Sequence, residues 1–263
     1  MTRFRMEHLR RTVTHRCDLL RELVIRDIKL RYKRSLLGVA WSLVTPLAQL
    51  VVFSFLFRRV VPLDIPNYSL FVFTGLLAWN WFTTSISQAT VAVTENRELV
   101  KLPGFPLSIL PAATVTTQLI HFLLALPILF AAMLVWGGQW TTAILVLPVI
   151  VILQYGFTLS LAYLAASLQV RYRDTQHALN ILLLLGFYLT PVFYDPALIP
   201  ESYQPLYALN PMTHVISGYR NILMRGEPPS SVSLALFGAV IGSLLVLGYI
   251  HFKRASHEFD EDL

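Results

Sequence analysis

Apolar positions in this chain gather into long runs without a single formal charge, and the charged positions cluster between them. The longest run lies between Lys101 and Arg171, where 69 consecutive positions hold no Asp, Glu, Lys or Arg. Its one polar break is Gly137-Gly138-Gln139, flanked by Trp136 and Trp140. A bilayer core takes about 20 apolar residues per helical crossing, and unpaired backbone groups are too costly there for irregular structure. The run therefore reads as two spanning helices joined by a tight turn. Uncharged stretches recur at 36–57, 65–94, 175–194 and 228–252. The pattern predicts an all-α integral membrane protein with six spans, at 36–57, 70–92, 109–134, 142–168, 176–194 and 232–252.

Charge then supplies the orientation, because basic residues that flank spans stay in the cytoplasm. Of the 21 Lys and Arg residues, eleven precede Leu36, and Arg97, Lys101, Arg171, Arg173, Lys253 and Arg254 fall on the same expected face. Arg58, Arg59, Arg220 and Arg225 fall opposite. Both termini are thus expected in the cytoplasm, with the chain threaded through the inner (plasma) membrane. The net charge of +6 makes anionic membrane lipids and phosphorylated cargo the expected partners, rather than nucleic acid. The single Cys17 permits neither an internal disulfide nor a cysteine metal cluster, and no metal site is expected. The first apolar run begins near Leu36 and is long enough to span, so no cleavable leader is expected.

Three segments carry a finer pattern. Before the first span, Leu20, Leu23, Val24 and Ile28 recur at helical spacing, with Glu22, Arg26, Lys29 and Lys33 opposite, which predicts an amphipathic helix in the cytoplasmic interface over 19–34. Between the last two spans, 195–231 holds six prolines, too many for one helix, yet keeps enough apolar residues to dip into the outer leaflet. Within the spans, Pro46, Pro127, Pro148 and Pro191 each remove a backbone donor and are expected to bend the helix. Trp79, Trp81, Trp136 and Trp140 are expected as interfacial anchors. His121, Gln49, Gln118 and Gln154 are expected to make interhelical contacts. The domain division is a cytoplasmic segment at 1–35, a membrane domain at 36–252 and a cytoplasmic tail at 253–263.

Five motifs, in order along the chain, carry a resemblance. They are Arg26-Asp27-Ile28-Lys29-Leu30-Arg31-Tyr32-Lys33-Arg34 running on through Trp41 to Pro46; Asn96-Arg97-Glu98-Leu99-Val100-Lys101 followed by Phe105-Pro106; Tyr172-Arg173-Asp174; Thr190-Pro191-Val192-Phe193-Tyr194; and Asn210-Pro211-Met212-Thr213-His214, closing with Gly218-Tyr219-Arg220. The chain resembles the permease subunits of type-2 ABC exporters for polysaccharides such as O-antigen, capsule and teichoic acid. It departs from them at Leu107, where a basic residue commonly follows the Phe-Pro pair.

The resemblance implies a homodimeric permease that moves a lipid-linked polysaccharide outward and is not itself catalytic. No G-x-x-x-x-G-K-[ST] loop is present, so ATP and Mg²⁺ are expected on two copies of a separate ABC ATPase subunit. Coupling to it is implied for Glu95, Asn96, Arg97, Glu98, Leu99, Lys101, Arg173 and Asp174. The first and fifth spans would line the channel, with Trp41, Phe53, Phe187, Tyr188 and Tyr194 offering rings to sugar faces. Arg31, Lys33 and Arg34 would meet the lipid pyrophosphate at the inner leaflet. Short re-entrant helices near 200–209 and 211–225 would form an outer gate with Asn210, Pro211, His214, Tyr219 and Arg220. Two other cargo or reaction classes stay open at this point. A type-2 exporter of small drugs or lipids needs a closed pocket, and a membrane sugar transferase needs catalytic groups that Glu95, Glu98 and Asp174 supply poorly. A passive channel lacks a visible filter loop or ring of charge.

Overall fold

The computed structural model describes residues 2–33, 41–60 and 65–259, and within them the chain is helical with no strand. Ten α-helices follow one another: α1 (Thr2–Tyr32), α2 (Trp41–Phe55), α3 (Tyr68–Val91), α4 (Arg97–Val100), α5 (Ile109–Trp136), α6 (Leu147–Arg171), α7 (Thr175–Leu189), α8 (Gln204–Ala208), α9 (Pro211–Arg220) and α10 (Ser231–Ala255). Among the described residues, three stretches are long and apolar enough to cross a membrane, namely Ile109–Trp136, Thr142–Arg171 and Ser231–Ala255. Two shorter apolar helices, Leu43–Phe55 and Thr175–Leu189, stand beside them.

The bundle is organised around α3. Eighteen of its 24 residues are buried, and α2, α5, α6, α7 and α9 all pack on it. Such a helix needs its polar groups satisfied internally. The hydroxyls of Thr74, Ser85 and Thr90 donate to the carbonyls four residues back, at 2.8, 2.6 and 2.7 Å, a self-contained solution open to Ser and Thr in apolar surroundings. One apolar cluster joins α3 to α5, α6 and α9. A second, around Val93, Ile109, Ala113, Tyr163 and Phe252, joins the opposite end of the bundle to Leu23 and Val24 of α1. The amphipathic spacing thus reads correctly, since Leu20, Leu23, Val24 and Ile28 all pack inward, with Leu19 beside them. The helix is longer than expected, beginning at Thr2 rather than near Leu19.

Small residues bring α6 and α10 together. A Cβ on Gly248 would lie 2.7 Å from the Ser160 carbonyl oxygen, and one on Gly156 would lie 3.1 Å from Ile241. Without a hydrophobic drive between helices in lipid, such close backbone approach is what holds them. The polar break between α5 and α6 is a tight turn: Gly137, at φ 82°, ends α5 in the left-handed conformation, and both Gly137 and Gly138 donate to the Met133 carbonyl, at 3.0 and 2.8 Å. Thr141 then caps the turn leading into α6, accepting from the Ala143 amide at 3.3 Å.

The prolines sort by position. Pro46 and Pro127 lie inside α2 and α5. Pro148 does not bend a helix, because it sits in the first turn of α6, where the missing N–H has no partner to lose. Pro191 ends a helix instead of bending it. Thr190 is extended at φ −109° and ψ 139°, the conformation favoured before proline, so α7 stops at Leu189 and not at Tyr194. Trp79 and Trp81 also depart from expectation. They lie in the middle of α3, 5% and 4% exposed, and pack on Phe187 and Phe122 rather than at an interface. Gln154 donates to the Ala78 carbonyl at 2.8 Å and Gln49 accepts from Asn80 at 2.8 Å, both between helices.

Candidate functional site

Four groups of side chains stand out, from the α1 end of the bundle to α9. At the α1 end, Thr94–Asn96 and α4 form a short turn whose Val100 is buried while Glu95, Arg97, Glu98 and Lys101 are exposed. The turn is held from below. Asn96 donates to the Ala92 carbonyl at 2.8 Å and accepts from Arg26 of α1 at 3.1 Å, and the Arg26 guanidinium is itself paired with Asp27 at 3.0 Å. Leu99 packs against the second apolar cluster. Arg173 and Asp174 are exposed in the α6–α7 turn, which Gln169 secures by donating to the Arg173 carbonyl and accepting from the Gln176 amide, at 3.1 and 2.8 Å. Residues far apart in sequence therefore share an exposed, charged end whose turns are pinned to the bundle.

Next comes Arg31 at the end of α1. It donates to the Gln88 side-chain oxygen on α3, which also accepts from the Gln118 amide of α5 at 2.6 Å. Lys33, two residues on, is exposed. Arg34 lies outside the described residues.

The third group is aromatic. Phe53 of α2 meets Phe187 of α7 at 6.0 Å between ring centroids and Phe193 at 5.6 Å. Phe57 stacks on Phe53 and Phe193, at 6.0 and 5.8 Å. Tyr188 and Tyr194 border Phe193 edge-on at 6.2 and 5.0 Å. The Tyr194 hydroxyl has two acceptors for its one proton, the Tyr188 carbonyl and the Tyr207 hydroxyl, each at 3.0 Å. Four of the five expected channel aromatics are thus brought together. Trp41 stands apart at the start of α2, 55% exposed. Phe57, Phe193 and Tyr207 were missed by the sequence reading. Phe57 had a signal, one helical turn after Phe53, and Phe193 sat inside a quoted motif.

The last group surrounds α9. Asn210 caps the helix by accepting from the Met212 amide at 3.0 Å, Pro211 fills the first helical position, and the Asn210 amide donates to Thr190 Oγ1 at 2.8 Å. At the far end of the same helix, Arg220 is 5% exposed. Its Nη1 donates to the Pro191 carbonyl at 2.6 Å, its Nη2 to the Val192 carbonyl at 2.6 Å, and Nε and Nη2 both to the Phe71 carbonyl at 3.3 and 3.2 Å. Its Cζ lies 3.4 Å from the Phe71 ring centroid. A Cβ on Gly75 would meet the Val192 oxygen at 2.6 Å and Arg220 Nη2 at 2.8 Å, so glycine there makes room for the clamp. Tyr219 is buried beside it, against Phe122. His214 is exposed, its Nε2 2.7 Å from the Ala208 carbonyl. Asn210 and Arg220 thus fasten both ends of α9 to the segment that leaves α7.

In this arrangement the exposed charges sit in turns and the rings line a surface between two helices. Among the described residues, no group of three His, Cys, Asp or Glu side chains is placed to hold a metal. The chain is 38% identical to the O-antigen export system permease protein RfbA of Myxococcus xanthus over 248 residues, covering 93% of this chain and 95% of that one. It is 32% identical to the protein of the same name from Klebsiella pneumoniae over 251 residues, covering 94% and 95%. It is 24% identical to the polysialic acid transport protein KpsM of Escherichia coli over 223 residues, covering 81% and 83%. The model of the ABC-2 type transporter family matches residues 18–224, from the packed part of α1 to the end of the turn after α9, and the chain belongs to that family.

Proposed function

We propose that this chain is the membrane subunit of an ATP-driven exporter that moves a lipid-linked polysaccharide, O-antigen-like or of the capsule or teichoic-acid kind, from the cytoplasmic to the outer face of the membrane. In this reading α2, α3, α5, α6, α7 and α10 are the six spans, both termini are cytoplasmic, and the helices near 200–225 dip into the outer leaflet. Two copies form the channel, and two copies of an ABC ATPase, which bind ATP and Mg²⁺, dock on the exposed turn at 94–101 and on Arg173 and Asp174.

The observation that carries the reading is α7. None of its fifteen residues is buried, and Ile181, Leu182, Leu185 and Leu189 are each more than half exposed. The outward positions of α2, including Val51, Val52 and Phe55, are exposed in the same way. These two helices flank the aromatic cluster, and a second copy set against them would enclose it in a passage walled by rings and aliphatic side chains. Aromatic faces pack on the C–H faces of sugars, and many weak, repeated contacts suit a polymer that must slide. A small-amphiphile exporter is the second reading, favoured by an apolar groove of about 570 Å³ along α6 and α7, lined by Phe82, Leu161, Leu179 and Leu183. The deciding experiment is co-purification with candidate ABC ATPases, then ATP hydrolysis in nanodiscs with and without lipid-linked glycan. Hydrolysis by a two-plus-two complex that responds to the glycan supports the reading, and a response to small amphiphiles alone replaces it with the second.

A further inference from the structure

Both α9 and α10 pack on α6, and a groove of about 660 Å³ opens between them. Its floor is Ile150 of α6, which is buried and so close that a Cβ on Gly218 would lie 3.2 Å from it. Each wall is one helix face: Pro211, His214, Ser217 and Asn221 recur at helical spacing on α9, and Ser233, Phe237 and Val240 on α10. Across the gap the His214 ring meets that of Phe237, with centroids 5.6 Å apart. Leu209 and Leu236 also border the groove and are 80% and 65% exposed, so it is continuous with an apolar outer surface.

Polarity is graded along this groove. α10 runs toward the α1 end of the bundle, where Phe252 packs, and α9 runs the other way. Arg220 donates to Phe71 in the first turn of α3, whereas Met212 shares a groove wall with Trp79, about two turns deeper. Asn221 and Ser217 therefore lie toward Ser230 and Ser233, with Pro211 deeper, toward Val240. The Ser230 hydroxyl donates to Ser233 at 2.7 Å. The half-buried Asn221 amide and Ser217 hydroxyl make no hydrogen bond among the described residues. Donors facing hydrocarbon without an acceptor are costly. No Asp, Glu, Lys or Arg lines the groove among the described residues, so it offers donors to a neutral acceptor and no counter-charge to an anion. Unfilled, the deeper part would leave Ile150, Phe237 and Val240 without contacts on one side. A neutral acceptor followed by a hydrocarbon chain is the ester end of a glycerolipid acyl chain.

We propose that this groove seats one outer-leaflet glycerolipid. An ester carbonyl accepts from the Asn221 amide and the Ser217 hydroxyl, and the acyl chain lies on Ile150, Phe237 and Val240. The lipid backs α9 from the bilayer, while Arg220 fastens the same helix to Phe71, Pro191 and Val192. The seat rests on the membrane placement of α9 and α10 in the proposed function and is independent of the cargo.

The test uses the full chain, stripped of lipid in maltoside micelles and titrated with dioleoylphosphatidylethanolamine and with its diether analogue, which keeps the headgroup and chains but lacks both ester carbonyls. Binding is read by native mass spectrometry. The diester is expected to bind about threefold to tenfold more tightly, the worth of a neutral hydrogen bond or two. Asn221→Leu, which keeps the bulk and removes the donor, is expected to bring the diester down to the level of the diether. Val240→Trp, which fills the groove from an exposed position, is expected to weaken both lipids and leave the lipid-free melting temperature unchanged. Leu247→Trp, exposed on the same helix beyond the groove, is expected to change neither. Val240→Trp decides the matter if Asn221→Leu folds poorly. Equal affinity for diester and diether, or wild-type diester binding by both Asn221→Leu and Val240→Trp, overturns the proposal. Diester preference in a complex that exports no glycan leaves the seat standing and sinks the exporter reading, and glycan export by a chain that binds both lipids alike sinks the seat alone.

Discussion

Two helices of similar apolar character meet opposite fates in this molecule. α3 has eighteen of 24 residues buried and five helices packed extensively on it, whereas α7 has none of fifteen buried. In water an exposed helix of this kind would be unstable, but in a bilayer apolar exposure costs little and cannot by itself drive packing. What separates the two is local chemistry. α3 carries hydroxyls that turn back on their own carbonyls and a glycine that admits the Arg220 clamp, while α7 presents Leu and Ile on all sides and ends where Pro191 forces Thr190 to extend. The first helix builds the subunit, and the second is left facing outward for lipid or another chain.

The sharpest way to break this contrast is at the clamp. Arg220→Ala removes four donor contacts to three buried carbonyls and is expected to cost about 3–5 kcal/mol, read as a large fall in melting temperature and in recovered protein. Arg220→Lys is expected to restore only part of it, because an ammonium lacks the planar fork that reaches the Phe71, Pro191 and Val192 carbonyls together. A variant as stable as wild type would show that α9 is held by something else. A second comparison sets Leu76→Ala, at 0% exposure, against Leu184→Ala, at 58%. The first is expected to cost about 2–5 kcal/mol by leaving a cavity. The second is expected to stay within about 0.5 kcal/mol while reducing dimer recovery. Equal effects would erase the distinction between the helices.

Gly75→Ala is expected to cost about 1–3 kcal/mol through overpacking against Val192 and Arg220, and Gly242→Ala, whose Cβ meets nothing within 4 Å, to cost far less. The smallest stability effects belong to the exposed turn. Glu98→Lys or Lys101→Glu is expected to change the melting temperature by no more than a surface substitution does, yet to separate ATP hydrolysis from glycan export when both are assayed in one preparation. Normal coupling in both variants would remove the turn from the transmission path.

Much of this was legible in the chain, for physical reasons. Uncharged runs of about membrane length pointed to the three long apolar stretches and, more loosely, to the shorter apolar helices beside them, because charge placement and helix length answer to the same bilayer. The glycine turn at Gly137-Gly138 was readable because backbone conformation dictates those residue types directly. What escaped was everything that depends on which helix faces which. Trp79 and Trp81 looked like interfacial residues, since tryptophan abundance says nothing of depth. Arg220 looked like an outer-face charge, because no local pattern announces that carbonyls 28, 29 and 149 positions away will gather around it. Pro191 was read as a kink within a span, although a proline ends a helix when the segment beyond it is pulled aside, as it is here by Arg220.

The account rests most heavily on α7 and α2 being the faces that meet a second copy. Single cysteines placed in turn from Ile181 to Leu189, in a chain whose exposed Cys17 is replaced by serine, test this by oxidative cross-linking in native membranes, with Leu236, Val240 and Leu247 of α10 as the lipid-facing comparison. Covalent dimers at several α7 positions and none at the three α10 positions are the predicted result. Dimers linked through α10, with none anywhere along α7, would contradict it.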